Sequence, residues 1–228
     1  MRAKAVLLAL LWTFSGTVYA QFSVANFASG RGIVAPGAVA EIRGSDFSAD
    51  SYYTNQLGEL PTDMGGVQVA FAKQFAGIRI VTPERIVCVV PDDVPTGWQR
   101  VDILTPGGNY HGWAVIAHVA PGIVIEDGHP QGLWRLGQTV DVIRGNALSP
   151  GVSVVLTATG FAGAKDVTAY VSASDQCLVV PARVVPLPIS LVGLEWVGLD
   201  LPLSLRGEIE ITFAADGFLS NTVNLTIQ

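Results

Sequence analysis

The residues best equipped for recognition chemistry are three aromatics on one short stretch, Trp98, Tyr110 and Trp113. The face of an aromatic ring stacks on the C–H surface of a sugar, and Trp and Tyr add a polar edge. Trp98 and Trp113 fall near the ends of candidate strands, where a ring can stay exposed. Tyr52, Tyr53 and Trp134 are further candidates for ligand contact. The alternative use of the same rings is as lids over an apolar core, or as packing between domains.

Other chemistries find fewer parts. The three histidines are His111, His118 and His129. No Gly-x-Ser-x-Gly elbow supplies a nucleophile for them, so no catalytic residue is assigned and the chain is read as a non-enzyme. Cys88 and Cys177 have no His at zinc-site spacing, and no metal or cofactor is assigned. Calcium is the ion the oxygen ligands could take. Its candidates are Asp46 with Asp50, Asp92 with Asp93, and Glu126 with Asp127, none in an EF-hand pattern. Cys88 alternates with Ile86 and Val90 and is expected in a core, unpaired with Cys177.

These residues must be positioned by strands. Val67-Gln68-Val69-Ala70-Phe71 alternates with period two, as do Ile209/Ile211/Phe213 and Val223/Leu225/Ile227 against polar neighbours. Such alternation marks sheets with one buried face. Helical spacing is nearly absent after residue 20.

The chain also repeats itself. Pro36-Gly37 leads through an apolar run to Phe47, and Pro150-Gly151 leads through another of equal length to Phe161. Gly97–Ile103 parallels Gly207–Phe213, and Val115–Val119 parallels Val223–Ile227. The expected organisation is a signal segment at 1–20, a first β-sandwich at 21–121 and a second at 122–228. The boundary falls at Ala120-Pro121-Gly122, where Pro cannot continue a ladder. The fold class expected is all-β, with two tandem sandwiches that each close their own core. The polar stretch from Ser48 to Met64 is expected to be a loop or a crossover between sheets.

Pro36-Gly37…Gly44-Ser45-Asp46-Phe47, then Gly65-Gly66-Val67-Gln68-Val69-Ala70-Phe71, then Thr82-Pro83-Glu84-Arg85-Ile86-Val87-Cys88-Val89-Val90-Pro91 resembles the IPT/TIG type of immunoglobulin-like domain. The pair is similar to a C-terminal module of exported soil-bacterial proteins. The resemblance covers nearly all of the chain after residue 20, on turn and core residues. It implies an extracellular Ig-like sandwich with no assigned catalytic residues.

The amino terminus reads as an export signal. Arg2 and Lys4 precede an apolar run from Ala5 to Trp12, and Val18-Tyr19-Ala20 is a small-x-small cleavage site. Cleavage would leave 11 basic and 19 acidic residues, a formal charge of −8. Such a chain is repelled by nucleic acid. The expected location is secreted, extracellular or periplasmic, with no transmembrane segment after cleavage. The expected function is a non-catalytic binding or structural module for a protein, cell-surface or polysaccharide partner. The alternative is a carbohydrate-binding module built on the aromatic hairpin.

Overall fold

The computed structural model describes residues 22–145, 147–174, 176–185, 187 and 191–228. The expected signal segment therefore lies outside the described residues. Among the described residues every regular element is a strand, and the chain folds as two β-sandwiches in tandem.

The first sandwich has two five-stranded sheets. One runs Ser23–Asn26, Val39–Arg43, Arg85–Val89, Gly77–Val81, Tyr52–Tyr53. The other runs Ile33–Val34, Gly108–Ile116, Gly97–Thr105, Gln68–Phe71, Gln74–Phe75. All pairings are antiparallel except Ile33–Val34 against Gly108–Ile116. Ile42, Phe47, Val69, Phe71, Ile78, Ile86, Cys88, Val101 and Ile103 fill the space between them. Part of the 48–64 stretch is structured: Tyr52–Tyr53 pairs with Val81 and Ile80, and Leu60 is buried.

The second half differs in how its sheets join. The strand Gln176–Val185 pairs with Val167–Ala173 up to Pro181, and from Ala182 onward with Glu195–Asp200. Pro181 has no N–H to donate, which suits a corner where a strand changes sheets. The two layers thus become one continuous nine-stranded sheet folded over a single core. Ile123, Leu156, Phe161, Val171, Leu199, Ile211 and Phe213 lie in that core.

The repeated corners occupy matching places. Gly37 and Gly151 sit at φ 72° and 73°, and the residues before the two Phe anchors, Asp46 and Gly160, sit at φ 60° and 81°. Gly adopts left-handed backbone freely, and Asp is among the few other residues that tolerate it. Phe47 and Phe161 are both buried, each edge-on to an aromatic of the later hairpin: Tyr110 at 6.0 Å and Phe213 at 6.2 Å.

The two halves fill separate cores, with Val119 at the end of the first contributing to the second, and further contacts join them at the junction. A third cluster joins Val39, Leu60, Val87 and Val89 of the first half to Val192 and Leu194 of the second. Polar contacts reinforce it. The Val39 N–H donates to Thr159 Oγ1 at 2.8 Å, and that hydroxyl donates to the Gly193 carbonyl at 2.6 Å. Arg79 Nη2 donates to the Val192 carbonyl at 2.6 Å. Arg31 donates to the Leu219 and Ser220 carbonyls. His118 lies 3.2 Å from the Asp216 carboxylate. Short-range alternation carries no information about such contacts.

Candidate functional site: an aromatic face on one hairpin

The aromatic stretch folds as a long hairpin, Gly97–Thr105 against Gly108–Ile116. Its turn is pinned by Thr105, whose hydroxyl donates to the Gly108 carbonyl at 2.9 Å and accepts from the Gly107 and Gly108 amides. The register pairs Gly97 with Ile116 and Thr105 with Gly108. Side chains alternate along a strand, so Val101, Ile103 and Ala114 turn inward. Trp98, Arg100, Asp102, His111 and Trp113 then share the outer face.

On that face Trp98 is 71% exposed and Trp113 63% exposed. Trp98 stands opposite Val115, and Trp113 opposite Arg100. The two tryptophans are therefore diagonal neighbours, with backbone positions about 7–8 Å apart. In the row of Trp113, on the side away from Trp98, Arg100 Nε holds the Asp102 carboxylate at 2.8 Å. On the inner side, an ideal Cβ on Gly112 would come within 2.7 Å of the Phe22 ring. The glycine lets that ring pack directly beneath the strand.

The sheet extends the face sideways. Asp102 pairs with Ala70, and Ala70 with Phe75, which is 51% exposed. A shallow trough of about 350 Å³ lies there, lined by Ala70, Lys73, Phe75, Arg100, Asp102 and His111 among others.

The other expected contact residues are placed elsewhere. Tyr110 faces inward opposite Ile103; its hydroxyl donates to the Asp46 carbonyl at 3.1 Å and its ring meets Phe47 edge-on. Tyr52 and Tyr53 sit on the edge of the other sheet, and Tyr52 lies against Gly65, where a Cβ would come within 2.4 Å of its ring. Trp134 is half-buried against the second core. Phe75 was not singled out from the sequence; its strand has only two residues, too short for a periodic signal.

The second sandwich repeats the hairpin without the rings. Gly207 pairs with Ile227 as Gly97 pairs with Ile116. Glu208, Glu210 and Asn224 thus stand where Trp98, Arg100 and Trp113 stand in the first. This register also corrects the sequence alignment of Val115–Val119 with Val223–Ile227: Ile116, not Val119, is the counterpart of Ile227.

The remaining reactive groups are dispersed. Both cysteines are free; Cys88 is buried, which pushes its thiol up to about 12, and Cys177 is exposed. His129 lies against Gly145, and His118 against Asp216. Among the described residues, no group of three or more His, Cys, Asp and Glu gathers as a metal site would need. No helix there is long and apolar enough to cross a membrane.

No family model and no curated protein matches the chain. Solved structures do. One is SGBP-B of the Bacteroides ovatus mixed-linkage glucan utilization locus, in complex with a mixed-linkage heptasaccharide: 12% identity, TM-score 0.36, covering 86% of this chain and 43% of that one. The S-layer protein SbsC, domains 5–6, matches at 15% identity and TM-score 0.30, over 91% and 96%. A titin Ig tandem matches at 6% identity and TM-score 0.26, over 86% and 91%. The chain thus spans less than half the length of the glucan-locus protein. Likeness at this level says nothing about ligand or partner.

Proposed function

We propose that this chain is an exported, non-catalytic binding module made of two IPT/TIG-like Ig sandwiches, 21–121 and 122–228, and that the Trp98/Trp113 face holds a glycan. The observation that carries this reading is the contrast between the two hairpins. Two tryptophans stand exposed at 71% and 63%, while Glu208 and Asn224 occupy the same positions in the second copy. The sandwich can evidently be built without rings there. Exposing two indoles forgoes their burial, the usual gain for a large apolar group. Sugar stacking restores part of that gain when ligand binds.

The test is retention on immobilised polysaccharide. The wild-type protein is expected to be held, and Trp98→Ala and Trp113→Ala each to weaken binding roughly tenfold or more, as central aromatic anchors do. Retention of both variants at wild-type strength would remove the assignment.

One observation favours a protein partner as a second reading. Thr139–Val142 is exposed along its length and ends the sheet order, with Val140 57% exposed. Such an edge can accept a strand from another chain. Proline substitution at Val140 would abolish that capture and leave glycan retention intact.

A further inference from the structure

We infer that the ligand of the Trp98/Trp113 face is the interior of an extended, uncharged polysaccharide chain, and that Phe75 is its third aromatic contact. This rests on the glycan reading above and goes on to name the ligand's charge and length.

The length argument is geometric. Phe75 lies on the same outer face, reached across the sheet through Ala70 and Asp102. Trp113 stands three strands away and one pleat repeat along. With strands about 4.8 Å apart and about 3.4 Å per residue, the span from Trp113 to Phe75 is roughly 16 Å. One or two sugars cannot touch both ends of such a span. The trough of about 350 Å³ is lined by Phe75 at one side and reaches His111, two residues from Trp113 on the same strand, with polar contacts from Arg100 and Asp102. The rings stand on the outside of a sheet rather than at the bottom of a pit, so a chain can pass over them.

The charge argument is local and global. A sulfated or uronic-acid chain is recognised by unpaired arginine forks. Here Arg100 donates its Nε–H to the Asp102 carboxylate at 2.8 Å, so its charge already has a partner. Lys73, exposed at the neighbouring turn, is the other fixed cation lining the trough. The chain without its leader carries a formal charge of −8, which repels polyanions at a distance. An ion pair on a sugar-binding face supplies donors and acceptors to hydroxyls without selecting for charge.

The experiment is a glycan array of neutral and uronate-containing oligosaccharides graded from two to eight sugars, followed by calorimetry on the hits. Wild-type, Phe75→Ala, Trp98→Ala and Trp113→Ala proteins are compared. The expected result is binding to neutral chains, with affinity for hexasaccharides at least tenfold above that for disaccharides. Phe75→Ala should reduce hexasaccharide affinity about fivefold and leave the disaccharide unchanged. Equal affinity for short and long chains, a preference for uronates, or indifference to Phe75→Ala would overturn this inference while the glycan reading stood. Absence of any binding that depends on Trp98 and Trp113 would overturn both. Circular dichroism melts of Phe75→Ala separate loss of contact from loss of fold.

Discussion

Trp98 and Trp113 face water because of strand parity. The sequence placed three aromatics on one stretch, but Tyr110 and Trp113 are an odd number of residues apart, so a regular strand must send them to opposite faces. Parity was legible; the register that sets Trp98 beside Trp113 was not, because it depends on the turn at Thr105–Gly108. The exposed rings make few demands on the fold. Trp98→Ala and Trp113→Ala are therefore expected to change stability by no more than about 0.5 kcal/mol, a shift of about 2 °C or less in Tm. A thermal melt of each variant checks this.

Glu195 makes the opposite kind of prediction. Its carboxylate accepts from the Phe161 amide, yet burial lifts its pKa above the usual range. A carboxyl held above its unfolded value binds its proton more tightly in the folded chain. Stability from this group is thus highest at low pH and declines as pH rises from about 4.3 to the raised folded value. Asp200 and Asp216 are held low, by hydrogen bonds from Ser153 and from the Asp166 amide first of all. Their stabilisation is lost only as pH falls through their lowered values, so the windows are separate. Urea midpoints measured across pH should show the decline above pH 4.3 in the wild type and a flatter profile in Glu195→Gln.

At the scale of elements, the duplicated corners were the most legible part of the chain. Pro-Gly and the residue before each Phe encode backbone conformations that few other residues adopt. Gly160 has a further constraint: a Cβ there would lie 2.1 Å from the Ala120 carbonyl oxygen, at φ 81°. Gly160→Ala must displace backbone and is expected to cost about 2 kcal/mol or more. The matching Asp46→Gly is expected to stay within about 1 kcal/mol, since glycine accepts the same φ. Chemical denaturation of the pair distinguishes conformational strain from a general intolerance of these corners. The two-residue strands Ile33–Val34, Gln74–Phe75 and Tyr52–Tyr53 were not legible. They exist because neighbouring strands offer free edges, which no local pattern records.

At the scale of the whole molecule, the halves are coupled. Thr159 is fully buried and bridges the Val39 amide to the Gly193 carbonyl. Replacing it with the isosteric Val leaves a buried donor and acceptor without that hydroxyl, at an expected cost of about 1–3 kcal/mol. The apolar cluster around Val89 and Val192 adds to the coupling, and it absorbs some of the apolar surface behind the mean hydropathy of +0.44. Calorimetry of the wild type should accordingly show one transition, with Thr159→Val lowering it. Two well-separated transitions would mean that the junction contributes little. Sequence alone showed two copies of a sandwich, but Val39, Val87 and Val89 lie on strands buried on both faces and Leu60, Val192 and Leu194 lie in loops, so no alternation marks which residues will meet.

The most direct test of the glycan face is oxidation of exposed indoles by N-bromosuccinimide, read residue by residue by mass spectrometry, with and without saturating neutral polysaccharide. Trp98 and Trp113 are expected to react first in the free protein and to be protected together when the polysaccharide is bound. Equal reactivity of both rings in the presence and absence of polysaccharide would contradict the account.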